Sequence, residues 1–81
     1  MEFKIGNVVK IQDEDFKIKA YKGDYAIASL GGDKIVNGGF MPIIIKKAAT
    51  KKGFKVLTDE NEVLEALKQI FSEGGVFTNI K

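Results

Sequence analysis

The chain has 81 residues, of which 30% are charged; its formal net charge is +2, and it contains neither cysteine nor histidine. Without these two residue types there can be no disulfide framework, no Ser–His or Cys–His triad and no ordinary zinc ligand set. We therefore expect a single domain over residues 1–81 that is not an enzyme and holds neither a metal nor another cofactor.

Hydropathy gives a further expectation about location. The sequence has no run of about 18 apolar residues, and its N-terminal residues lack the apolar stretch and cleavage site of a secretory signal. The sequence therefore predicts a cytoplasmic protein without a membrane partner.

Charge is distributed unevenly along the chain. Residues 1–58 carry eleven lysines and six acids, for a net charge of +5, whereas residues 59–81 carry two lysines and five acids, for a net charge of −3. Separation of this kind influences the choice of partner more than the fold.

Residues 2–22 have the period-two alternation of two β-strands. Gly6-Asn7 interrupts the first strand and predicts a bulge or sharp bend. Residues 12–15 are polar and predict a turn. The three acids there indicate either a solvated turn or a site for a hard cation. Residues 16–22 form the second strand, in which parity places Phe16, Ile18 and Ala20 on the buried face and Lys17, Lys19 and Tyr21 on the outer face.

The middle of the chain predicts further strands separated by turns. A turn at residues 22–24 leads to a strand at 25–30, and a brief strand at 34–36 precedes a glycine turn at 37–39. Residues 40–47 form the next strand, and a basic loop at 48–53 leads to the last strand at 54–57. Three consecutive isoleucines at 43–45 indicate burial on both faces, which a second subunit could provide.

A C-terminal amphipathic helix is expected over about residues 59–73. Asp59 and Glu62 have the spacing of a capping box, and Gly74-Gly75 ends the helix. The apolar residues of its predicted inner face are Val63, Leu64, Leu67, Ile70 and Phe71. The predicted fold is α+β: a curved antiparallel sheet of four to five strands followed by this helix. The apolar tail at 76–80 is expected to pack on the core or to pair with a neighbour.

Lysines on the outer strand face and in the basic loop are the only candidate functional group. Lysine attracts phosphates as a point charge, and an aromatic ring among lysines can stack on an unpaired base. The absence of arginine argues against sequence-specific readout of a duplex. The candidate nucleic-acid-binding residues are Lys17, Lys19, Tyr21, Lys46, Lys47, Lys51 and Lys52. The alternative is that these side chains form only a solvated face.

The segment PIIIKKAATKKGFKVLTDENEVLEALKQIF, residues 42–71, resembles the C-terminal half of the positive-cofactor-four family of single-stranded-DNA-binding transcription cofactors, part of the whirly-like group. In that family a basic strand leads through a loop to a Lys-Gly pair, here Lys52-Gly53, then to a short strand and an amphipathic helix. The resemblance implies a curved sheet backed by a helix, a groove for single-stranded DNA and a homodimer whose helices pack together. This chain departs from the family in lacking arginine and tryptophan and in its acidic first turn.

Besides a structural subunit that self-assembles through its edge strands, two functions of different classes remain open. The first is a dimeric, non-catalytic binding protein for single-stranded nucleic acid, acting in transcription or DNA metabolism. The alternative is a small inhibitor or adaptor that docks on a larger protein through the acidic helix face, which carries Glu62, Glu65 and Glu73.

Overall fold

In the computed structural model, residues 2–30 and 42–77 are described, and they form one antiparallel sheet and one helix. The elements are β1 Val8–Ile11, β2 Glu14–Lys22, β3 Tyr25–Leu30, β4 Ile43–Lys47, β5 Phe54–Val56, α1 Glu60–Ile70 and β6 Val76–Phe77. The predicted α+β fold, with a curled antiparallel sheet and one C-terminal helix, is therefore confirmed. The strand predicted at 34–36 and the turn at 37–39 lie outside the described residues, as do residues 40–41 and 78–80.

The first hairpin closes with a tighter turn than the sequence predicts. Gln12 and Asp13 both have positive φ, 51° and 66°, as the two central residues of a type I′ turn do. Pairing resumes at once, with Glu14 opposite Ile11 and Asp15 opposite Lys10. The prediction of a turn over residues 12–15 is thus wrong at its second half, because Glu14 and Asp15 belong to β2.

The predicted interruption at Gly6-Asn7 is a bulge. The Gly6 amide donates to the Ile18 carbonyl at 3.0 Å, and the Ile18 amide donates to the Asn7 carbonyl at 2.9 Å, so two residues oppose one. Gly6 has φ of 86°, the left-handed value that this type of bulge requires and that glycine adopts without strain.

A second irregularity, at Lys19, changes which side chains of β2 share a face. Ile18 pairs with Ala28 and Ala20 pairs with Ile27, so Lys19 is an extra residue on its strand. Ile18 consequently packs in one apolar cluster and Ala20 in the other. The predicted common face of Phe16, Ile18 and Ala20 is therefore wrong, because the bulge breaks the period of two.

The sheet runs in the order β1-β2-β3-β4-β5 and has an apolar cluster on each face. The inner cluster fills the curl of the sheet; its buried members are Phe3, Val9, Ile11, Phe16, Ile18, Ala26, Ala28, Ile45 and Phe54. The helix cluster lies between the sheet and α1; its buried members are Ala20, Ile27, Ile44, Leu57, Ala66 and Ile70. Ile44 and Ile45 thus face opposite clusters within one chain, so their double burial requires no second subunit.

Helix α1 begins where the capping pattern predicts, but it ends at Ile70 with Phe71 as its cap, so the predicted end at about residue 73 before Gly74-Gly75 is wrong. The Glu62 amide donates to Asp59 Oδ2 at 3.1 Å, whereas the Glu62 carboxylate lies 3.7 Å from Lys55 Nζ on β5. Ala66 and Ile70 are buried and Val63 and Leu67 half-buried, but Leu64 and Phe71 are 50% and 64% exposed. The predicted inner face is therefore wrong for Leu64 and Phe71, because helix α1 is turned so that Ala66 faces the sheet.

The chain returns to the sheet after the helix. Val76 pairs with Tyr21 and Phe77 with Ala20, so β6 continues along the same edge of β2 that β1 occupies nearer the first turn. The expectation that this apolar segment packs on the protein is met for Val76 and Phe77.

Candidate nucleic-acid interface

The seven candidate residues do not share one face. Lys17 is exposed on β2, opposite Val8 and Ser29. Lys19 is 2% exposed because the bulge draws it inward. Tyr21 is half-buried and packs against the inner cluster. The prediction that Lys17, Lys19 and Tyr21 line one outer face is therefore wrong, because the bulge at Lys19 breaks the alternation of side chains along β2.

Lys46 belongs to a row of side chains beside the helix. Pairing places Lys22 opposite Tyr25, Tyr25 opposite Lys46, and Lys46 opposite Lys55, so all four project from the helix side of the sheet. Lys46 Nζ lies 5.5 Å from the centre of the Tyr25 ring, a cation–π distance.

The two outer lysines of this row hold the ends of the helix. Lys22 Nζ donates to Ser72 Oγ at 2.5 Å and to the Glu73 carbonyl at 2.7 Å, just beyond the C-terminus of α1. At the other end Lys55 pairs with Glu62. A lysine at a helix C-terminus satisfies carbonyls and complements the negative end of the dipole. This row is thus engaged in fixing the helix on the sheet.

Four other lysines lie on β1, at the end of β4 and in the loop between β4 and β5. We call Lys10, Lys47, Lys51 and Lys52 the basic corner. Lys52 Nζ donates to the Lys10 carbonyl at 3.4 Å, and Lys47 Nζ lies 5.7 Å from the centre of the Phe3 ring. Lys10, Lys51 and Lys52 are exposed, and Lys47 is half-buried. The sequence places Lys10 on the outer face of the first strand but not among the seven candidates, because its contact with this loop joins residues 42 positions apart.

The loop that carries Lys51 and Lys52 is held by its own hydrogen bonds. The Gly53 amide donates to the Thr50 carbonyl at 3.0 Å, and Thr50 Oγ1 donates to the Phe54 carbonyl at 2.9 Å. The Ala48 amide closes the loop by donating to the Gly53 carbonyl at 3.1 Å. Two lysines are therefore presented on a defined turn, at the position where the sequence predicts a basic loop.

An open groove of about 470 Å³ runs beside the basic corner. It lies between β1 with its turn and β5 with the preceding loop, and its lining residues are Val8, Val9, Lys10, Gln12, Asp13, Lys52 and Phe54. Acidic groups adjoin it, since Asp13 is part of the lining and Lys10 Nζ lies 3.5 Å from Asp15 Oδ1. The groove therefore offers ammonium groups, apolar surface and two nearby carboxylates.

Two further observations concern residues 2–30 and 42–77. Over these ranges the acidic side chains form no group of three that could ligate a metal ion. The single helix in the same ranges is too short and too polar to cross a membrane.

The comparisons with known proteins give no match: no family model fits the sequence, and no curated protein or solved structure is significantly similar to it.

Proposed function

We propose that this chain is a non-catalytic binding protein for single-stranded nucleic acid and that the basic corner is its contact surface. The observation that carries the proposal is the contact of Lys52, from the loop that also carries Lys51, with Lys10 beside an open groove. Several exposed ammonium groups in one place attract a phosphate backbone, and the release of counterions favours the complex.

The proposed mode of binding is contact with phosphates and not stacking on bases. Tyr21, the ring proposed from the sequence, packs against the inner cluster, and Phe3 lies buried below Lys47. The chain contains no arginine for bidentate recognition of a base edge. The proposed complex is therefore tolerant of sequence and sensitive to salt.

We further propose that two copies associate through the apolar surface of helix α1 and the segment after it. Leu64 and Phe71 are seven residues apart and lie on the same side of the helix, and both are exposed. The Phe71 and Phe77 rings are 5.3 Å apart, which extends this surface to β6. We call Leu64, Phe71 and Phe77 the apolar patch.

The same patch supports a second candidate, a small inhibitor or adaptor that docks on a larger protein. Exposed Glu65 and Glu73 are close in sequence to the patch, and a basic partner with an apolar centre would suit this composition. This candidate places no requirement on the basic corner, so lysine substitutions there distinguish the two functions.

The test is fluorescence anisotropy of a labelled oligo-dT strand, titrated with the full chain at several salt concentrations. If all four lysines contact phosphates, the plot of log affinity against log salt should have a slope of about −3. Lys51→Gln should weaken binding at every salt concentration and make the slope shallower by about 0.7. Lys68→Gln, which removes an exposed lysine from helix α1, is the matched control and should leave the slope unchanged.

Absence of binding at the lowest salt concentration would reject the proposal. Equal losses in Lys51→Gln and Lys68→Gln would reject the basic corner as the contact surface, since only the net charge would then matter.

A further inference from the structure

We propose that the turn between β1 and β2 is autoinhibitory: its carboxylates compete with nucleic-acid phosphates for the lysines of the basic corner. This inference rests on the proposed function, because it concerns the regulation of the same surface. We use the name acidic turn for Asp13, which lies in the turn, together with Asp15, which lies at the start of β2.

Asp15 lies beside Lys10, and Asp13 shares the groove with Lys52. Asp15 is the cross-strand partner of Lys10, and their charged atoms are 3.5 Å apart. Asp13 and Lys52 line the same groove from its two sides. A phosphate that enters the groove must therefore displace or approach these carboxylates.

The backbone fixes the acidic turn in this position. Gln12 and Asp13 both have left-handed φ, so the turn has only two residues and β2 starts pairing at Glu14. The register that follows sets Asp15 across from Lys10, and a shift of one residue would move Asp15 to the other face of the sheet.

The strength of the competition follows from the exposure of the groups. The Lys10 and Asp15 side chains are each 65% exposed. Exposed ion pairs are weak and are screened over about 10 Å at 0.1 M salt. A phosphate can therefore replace the carboxylates, but the affinity at low salt is lower than four lysines alone would give.

The test compares two double variants of the full chain in the oligo-dT titration. Asp13→Asn with Asp15→Asn removes the acidic turn's charge, and asparagine tolerates the positive φ at position 13. Glu60→Gln with Glu65→Gln makes the same change of net charge at exposed positions of helix α1. We expect the first variant to bind about threefold to tenfold more tightly than wild type at low salt, and this gain to shrink as salt is raised.

An equal gain in the helix variant would overturn the proposal, because it would show an effect of net charge alone. No gain, or a gain that does not depend on salt, would also overturn it. Thermal melting of both double variants checks that they are folded. If the Asp13→Asn, Asp15→Asn variant is unstable, the single Asp13→Asn variant replaces it in the titration. If neither wild type nor either variant binds, the proposed function itself fails, which separates that result from failure of the autoinhibition alone.

Discussion

Ser29 and Ser72 show how one residue type can have opposite effects on stability. Ser29 is fully buried on β3, and its hydroxyl has no hydrogen-bond partner among the described residues. Ser72 is exposed after helix α1, where its hydroxyl accepts from Lys22 Nζ and donates to the Gln69 carbonyl at 2.7 Å. Burying an unsatisfied hydroxyl is unfavourable, whereas a satisfied hydroxyl contributes net stability.

Replacing each serine by alanine should therefore change the free energy of unfolding in different ways. We expect Ser29→Ala to be neutral or to stabilise the protein by up to about 1 kcal/mol, and Ser72→Ala to destabilise it by about 0.5–1 kcal/mol. Urea denaturation of both variants measures the difference. A clear loss of stability in Ser29→Ala would show that its hydroxyl has a partner in the folded protein.

At the scale of elements, β6 is attached to the sheet through a closely packed glycine. An ideal Cβ built on Gly75 would lie 2.0 Å from the Ile70 carbonyl oxygen, which is backbone and cannot move aside. Gly74 has space around it, with the nearest atoms at 3.9 Å, but its φ of 95° is one that other residues avoid. The two adjacent glycines are thus required for different reasons.

Alanine substitutions separate the two requirements. Gly74→Ala should cost about 1–2 kcal/mol of unfolding free energy for the left-handed conformation. Gly75→Ala should cost about 2–3 kcal/mol, because the clash displaces either the end of helix α1 or β6. Urea denaturation measures both values. Amide hydrogen exchange at Ala20 and Tyr21, the partners of β6, should accelerate more in Gly75→Ala, and equal exchange in both variants would contradict the steric explanation.

The types of the elements could be predicted from sequence wherever apolar periodicity was regular. The helix, its Asp59 cap, the bulge at Gly6 and strands β2 to β5 follow from local patterns. The bulge at Lys19 could not be predicted, because no glycine or proline marks it. The alternation of apolar and polar residues also continues across it without interruption. The position of helix α1 about its own axis was also missed, since Leu64 and Ala66 suit an inner face equally by periodicity and only the packed sheet selects Ala66.

The candidate site was predictable in part for the same reason. Lys51 and Lys52 lie on a loop, whose exposure does not depend on strand parity, and Lys47 adjoins them. The predicted positions of Lys19 and Tyr21 depended on regular alternation along β2. In the structure Lys19 is buried and Tyr21 packs against the inner cluster. The outward position of Lys10 follows from strand parity, but its proximity to Lys52 could be found only from the long-range contact with the loop.

At the scale of the whole molecule, the basic corner and the apolar patch belong to different parts of the fold. The basic corner adjoins β1 and the loop before β5, whereas the apolar patch lies on helix α1 and β6. Association of two copies through the patch would leave each basic corner accessible. A dimer of this kind would present two contact surfaces to one nucleic-acid strand and gain affinity from their effective concentration.

Leu64→Gln should weaken that dimer. A twofold interface loses two buried leucine side chains, each worth ~1.5 kcal/mol, so we expect the dissociation constant to rise by about a hundredfold. Val8→Gln is the control, since Val8 is 53% exposed and Leu64 50% exposed, but Val8 lies on β1. Sedimentation velocity over a range of concentrations measures both variants. A wild-type chain that remains monomeric throughout would contradict the proposed dimer.

The position of β6 on β2 also sets an order of assembly during synthesis on the ribosome. Among the described residues, the other strand pairs join neighbours in the order β1-β2-β3-β4-β5, so each can form once its second strand has left the exit tunnel. The edge of β2 at Ala20 and Tyr21 remains unpaired until its partners Val76 and Phe77 are synthesised, more than fifty residues later. The nascent chain therefore carries an incompletely paired β2 until Val76 and Phe77 have left the exit tunnel.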